Sequence, residues 1–198
     1  MLNTRPVFGP TIVLVVVLGA ARALALSPNA REFLAEAQIG FQVWDTDHDG
    51  ELSVHEIELA VANPKVTGKP AATAATLRRA IRADHDLKSV TFKQVVDAVE
   101  HKSKMLDAFD MADFYHDSCQ RIATTNRALF VSDRPHAEKL SQGRLGDCFL
   151  LASLGTIAAT EPARLKKMFK TLPGGKFEAT LGTGRKLVLD MPTDAEIC

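Results

Sequence analysis

The sequence predicts a mainly α-helical protein with a short β segment, and three observations carry this expectation. Apolar residues recur mostly at three- and four-residue spacings from Phe33 to Trp44, the period of a helix with one buried face, and a second helix-like stretch runs from Ser103 to Phe130. Between these stretches lie an acidic loop, Asp45 to Glu56, and a second loop-like stretch around Val90, each flanked by helix-like segments. Nearer the carboxyl end, "CFLLASLGTIAA" is an apolar helical run that starts at Cys148.

With 198 residues the chain has room for two small domains after a removed leader, because domains most often run to about 100–150 residues. Lysine plus arginine and aspartate plus glutamate both number 24, so the charge balance gives no reason to expect nucleic acid as a partner. The three cysteines, Cys119, Cys148 and Cys198, are too few and too widely spaced for a disulfide framework. No C-x-x-C pair points to zinc or to a dithiol redox site.

The chain opens with "MLNTRPVFGPTIVLVVVLGAARALALSPNA". Arg5 gives a positive start, Thr11 to Ala21 an apolar core, and Ala23-Leu24-Ala25 a small-x-small site. That order predicts a secretory signal peptide over residues 1–25, cut after Ala25. Arg22 interrupts the apolar run, which is shorter than the roughly 20 residues of a membrane span. The expected location is therefore secreted or periplasmic, with an N-terminal membrane anchor as the alternative and no stable membrane span.

The first helical stretch, "NAREFLAEAQIGFQVW", places Phe33, Leu34, Ala37, Phe41 and Trp44 on one face and runs into "DTDHDGELSVHE". In that loop Asp45, Asp47 and Asp49 hold positions one, three and five, Gly50 position six, Leu52 eight, Ser53 nine and Glu56 twelve, the pattern of an EF-hand. A hard Ca²⁺ ion takes about six to eight oxygens, and a loop folded around it presents alternate residues inward. Asp45, Asp47 and Asp49 would ligate through carboxylates, Glu51 through its backbone carbonyl, Ser53 directly or through a water, and Glu56 with both carboxylate oxygens. Gly50 permits the sharp turn.

EF-hands pair through a short strand contact at position eight, so a partner is expected. Aligning Val90 with Leu52 sets Ala83, His85, Leu87, Lys88 and Gln94 at the ligand positions of a second loop. Those residues are poor calcium ligands, and Asp84 and Asp86 fall out of phase. The second hand therefore reads as a degenerate one kept for packing, with Val90, Phe92, Val95, Val96 and Val99 as its apolar face. The stretch from Ser103 to Phe130 reads as a helical connector, with Cys119 in its packed face and Asp107, Asp110, Asp113 and Asp117 on its wet one.

Cys148 follows the glycine-bearing "QGRLGD" and starts an apolar run. Asp147 is placed to cap a helix beginning at about Cys148. A thiol there sits at the positive end of the helix and beside unpaired backbone N–H groups, both favouring the thiolate. The Gln142 amide and the backbone N–H of Cys148 would then receive the oxyanion formed on attack at a carbonyl. Before any resemblance is considered, the residues favour the plainer reading of a buried cysteine on an apolar helix.

"QGRLGDCFLLASL" resembles the active-site cysteine signature of calpains, papain-like, calcium-regulated cysteine endopeptidases, in which Q-G-x-x-G-D-C-W-L-L-A-A is typical. Gln142, Gly143, Gly146, Asp147, Cys148, Leu150, Leu151 and Ala152 match, while Phe149 replaces the tryptophan and Ser153 an alanine. More weakly, "KFEATLGTGRKLVLDMP" is similar to the family's strand, glycine turn and strand after that helix. The resemblance covers about residues 130–198. It implies Cys148 as nucleophile, Gln142 as oxyanion residue and a protein or peptide substrate.

The family also uses a histidine oriented by an asparagine, both downstream of the cysteine. Here all six histidines precede Cys148, and no asparagine follows Asn126. His136 has no counterpart in the family pattern. The expected organisation is thus a signal peptide over 1–25, an EF-hand pair over 29–100, a helical connector over 101–129 and the N-terminal part of a calpain-like domain over 130–198. The last is an incomplete papain-like α+β subdomain, inactive alone, with the missing C-terminal half as a candidate partner. The alternative is a secreted calcium-binding interaction protein with a noncatalytic protease remnant.

Overall fold

The computed structural model describes residues 26–83, 86–100, 110–130, 132, 134–140 and 148–198. The leader, Asp84, His85, the beginning of the expected connector and the Gln142 to Asp147 stretch lie outside the described residues. Seven α-helices and five short strands make the described protein mainly α with a little antiparallel β. It divides into two units, one comprising residues up to Thr124 together with Thr193–Cys198, the other Thr125–Pro192. Among the described residues no helix is long and apolar enough to cross a membrane.

In the first unit, α1 spans Pro28–Trp44, started by the Ser27 hydroxyl, which accepts from Ala30 N–H, and by proline at the first helical position. Its buried residues, Ala30, Phe33, Ala37, Gly40, Phe41 and Trp44, fall on the face that the spacing predicts. Gly40 has a packing reason: a Cβ there would come within 2.6 Å of the Trp44 ring. Strand β1, Glu51–Ser53, and β2, Ser89–Thr91, pair antiparallel with Leu52 opposite Val90. These are the residues that the sequence sets at position eight of their loops, and both are buried.

Helix α2, Val54–Ala62, and α4, Phe92–Val99, leave β1 and β2 through the same local device. At one loop Ser53 and Glu56 exchange side-chain and backbone hydrogen bonds; at the other Thr91 and Gln94 do the same. Each is a capping box, satisfying two otherwise orphaned N–H groups. Gln94 thus holds a structural place at the start of α4.

Helix α3, Lys69–Ala83, is lined by Ala71, Ala72, Thr73, Ala74, Ala75 and Thr76, all buried. Small side chains let neighbouring helices approach closely, and the two threonine hydroxyls are satisfied within the helix, Thr73 by Lys69 O and Thr76 by Ala72 O. Helix α5, Met111–Thr124, lies within the stretch expected to be a helix packing on its neighbours. Met111, Ala112 and Tyr115 join the first unit's core, and the Tyr115 ring meets that of Phe33 at 5.5 Å. Asp110, expected merely to face water, caps this helix by accepting from Ala112 and Asp113 N–H.

The second unit holds a 3₁₀ turn at Ala137–Lys139, α6 over Cys148–Thr160, α7 over Pro162–Met168, and strands β3 (Phe169–Leu172), β4 (Lys176–Thr180) and β5 (Lys186–Asp190). The sheet order is β3-β4-β5, antiparallel throughout, with Phe169 opposite Ala179 and Phe177 opposite Leu189. The β4-turn-β5 hairpin lies where the strand-turn-strand expectation put it. β3 was not expected, and Phe130 packs edge-on against its Phe169 at 6.1 Å.

Candidate metal centre and nucleophile helix

The loop between α1 and β1 is shaped by its own carboxylates. Gly50 N–H donates to Asp45 Oδ2 at 3.0 Å, Glu51 N–H to Asp49 Oδ1 at 2.8 Å, and Asp49 N–H to Asp47 Oδ1 at 3.3 Å. Such bonds fold the chain back on itself over a few residues. Two left-handed residues make the turn possible, Gly50 with φ +85° and His48 with φ +59°. Glycine adopts that conformation freely, whereas a histidine there is uncommon.

The result brings Asp45, Asp47 and Asp49 together, one oxygen of each lying within 4.8 Å of the others. Asp45 Oδ1 is buried and has no hydrogen-bond partner. Three converging carboxylates repel one another, and a buried oxygen without a donor carries an unrecovered desolvation cost. Both costs are removed by a hard cation with an all-oxygen shell. The residues present are placed to hold a metal cation through oxygen.

Glu56 stands apart from that trio. The residue is 6 % exposed. It accepts from Thr46 N–H at 2.7 Å, Thr46 hydroxyl at 2.9 Å, Ser53 N–H at 3.0 Å and Ser53 hydroxyl at 2.9 Å. Burial pushes this carboxyl up, but the hydrogen bonds from Ser53 and Thr46 outweigh it and bring the pKa down to about 2. Ser53 is likewise engaged with Glu56, and the Glu51 carboxylate takes the Ser89 hydroxyl across the β1–β2 ladder. Thr46 is the participant that the loop pattern did not single out; the capping pairs at 53–56 and 91–94 were readable as S/T-x-x-E/Q.

In the second unit, Cys148 is the first residue of α6 and is exposed. The helix thus begins where the glycine-bearing stretch predicts, whereas Gln142 lies outside the described residues. Within α6 only Ala158 is buried, and Phe149 and Leu150 are 75 % and 48 % exposed. The other two thiols are half-buried in the first unit, and burial pushes both Cys119 and Cys198 up. Neither has the character of a nucleophile. His136 precedes the 3₁₀ turn without capping it through its side chain.

No protein-family model matches the sequence, and neither a curated protein nor a solved structure matches it.

Proposed function

We propose that this chain is a calcium-binding, calpain-like cysteine endopeptidase component, with an EF-hand pair in its first unit and the nucleophile-bearing part of a papain-like domain in its second. The observation that carries the calcium assignment is the convergence of Asp45, Asp47 and Asp49, with Asp45 Oδ1 unpartnered. Glu56 completes the shell on leaving Thr46 and Ser53, with the Glu51 carbonyl and Ser53 as the remaining candidates from this loop. One ion binds per chain, because the Val90 loop offers Gln94 as a cap rather than as a ligand.

The peptidase assignment rests on the motif from Gln142 to Ser153, supported by the placement of Cys148 at a helix start. The Cys148 thiolate attacks a peptide carbonyl, the C–N bond breaks as the amine leaves with a proton, and water releases the acyl group from sulfur. Gln142 and the Cys148 backbone N–H hold the oxyanion. With every histidine upstream of Cys148, the base that takes the thiol proton is supplied from outside these residues. The N-terminal leader directs export, which places the calcium loop where calcium is abundant.

A second reading, a secreted calcium-binding interaction protein with a noncatalytic protease remnant, is favoured by the exposed apolar side chains of α6. Two measurements test the proposal. Calorimetry with Ca²⁺ is expected to show one equivalent, lost in Asp45→Asn; no heat, or two equivalents, overturns the calcium assignment. A peptide electrophile selective for cysteine peptidases is expected to label Cys148 once a histidine-bearing papain-like half is added. Failure to label under those conditions favours the interaction protein.

A further inference from the structure

Thr193–Cys198 belong to the first unit although Pro192, just before them, belongs to the second. The Thr193 hydroxyl donates to Val61 O at 2.6 Å in a buried contact. Gly68 N–H donates to Asp194 Oδ2 at 2.7 Å, and Arg121 Nη1 donates to Cys198 O at 3.1 Å. Ala195 is 3 % exposed within the core. The segment is shaped internally for this fit, Thr193 N–H donating to Glu196 Oε2 at 2.8 Å and Glu196 N–H to Thr193 Oγ1 at 3.2 Å.

We propose that Thr193–Cys198 is a latch on the far end of α2, and that docking of the latch and filling of the Asp45–Glu56 loop with Ca²⁺ oppose each other. This rests on the calcium assignment above. Glu56 lies in the first turn of α2, and Val61 in the last. To reach an ion at the aspartate trio, Glu56 has to give up Thr46 and Ser53 and carry the start of α2 with it. A nine-residue helix is a rod of about 13 Å, at roughly 1.5 Å per residue, so its far end moves too. The Val61 carbonyl is one of the last four, which have no acceptor role inside the helix. Thr193 satisfies it in the structure, and moving α2 separates the pair and leaves both groups buried and unmatched. The loaded loop and the docked latch are therefore competing states, and the coupling is reciprocal.

The test uses the full chain. Calorimetry with Ca²⁺ compares the wild type with T193V/D194A, and the alkylation of Cys198 by iodoacetamide is followed by mass spectrometry with and without Ca²⁺. The variant is expected to bind Ca²⁺ about 5- to 150-fold more tightly, the range of ordinary coupling energies. Ca²⁺ is expected to accelerate Cys198 alkylation in the wild type and to leave it unchanged in E56Q. Equal affinities with a Ca²⁺-insensitive Cys198 overturn the latch while leaving the calcium assignment intact. Absence of Ca²⁺ binding by the wild type overturns both. The alkylation arm needs no latch variant, so a folding defect in T193V/D194A does not blunt the test.

Discussion

The two units bury their apolar residues very differently. In the first, Phe33, Ala37, Leu52, Leu77 and Val95 are all at or below 1 % exposure, drawn from three helices and a strand that share one core. In the second, only Ala158, Leu165 and Ala179 are buried apolar residues among those described. There α6 shows Phe149 and Leu150 to solvent, and β5 shows both Val188 and Leu189. Successive strand residues point to opposite faces, so β5 is apolar on both. The first unit builds a large closed core even though Ile39, Val43 and Leu59 stay exposed, whereas the second has little core and carries apolar surface of the kind that a further layer covers.

The sharpest way to break this contrast is to remove a keystone from the first unit. Phe33→Ala is expected to destabilise that unit by about 3–5 kcal/mol, read as a lower urea midpoint for the signal of Trp44, with the amides of β3 to β5 exchanging as before. A shift smaller than about 1 kcal/mol would mean that the first core is not the stable element.

Next in size is Glu56→Ala, which leaves the Thr46 and Ser53 donors without an acceptor and removes one side of a capping box. The expected cost in calcium-free buffer is about 2–4 kcal/mol, from the cap and the unmatched donors together. The same carboxylate gives a pH dependence. Its pKa is depressed from 4.5 to about 2 on folding, so its stabilisation is fully present above the unfolded value and is lost as pH falls through the folded one. The difference in urea midpoint between wild type and Glu56→Gln is therefore expected to be constant above about pH 5 and to shrink steadily toward pH 2.

The smallest effects belong to the second unit. Cys148→Ser and Phe149→Ser, both at exposed positions, are expected to change stability by less than about 0.5 kcal/mol. Phe149→Ser is also expected to lower the fluorescence of an apolar-surface dye bound to the chain. A large destabilisation by Phe149→Ser would show that α6 is packed in solution and would erase the contrast.

The parts of the molecule legible in the sequence are those governed by short-range rules. The buried face of α1 followed from residue spacing, and the Leu52–Val90 pairing from counting loop positions. The start of α6 at Cys148 followed from the glycines before it and from the expectation that Asp147 caps a helix there. The sequence also placed Asp45, Asp47 and Asp49 at alternate positions, which is enough for a turning loop to bring them together. The S/T-x-x-E spacing makes the Ser53–Glu56 cap readable, but it does not show that Glu56 also accepts from Thr46, because those bonds depend on the angle at which α2 leaves the loop.

Helix α5 shows the other limit. Its periodicity announced an amphipathic helix, but periodicity does not say what the apolar face packs against; the surface offered by Phe33 and α3 decided that. The return of Thr193–Cys198 was equally hidden, since Thr193 and Val61 are 132 residues apart and no local pattern joins them. By itself, then, the sequence determined the helices, the acidic loop and the placement of its cysteine, all set by interactions within a few residues. The tertiary structure alone decided which helices share a core and what engages the closing glutamate and the end of α2, because those outcomes depend on surfaces that exist only once distant segments have packed.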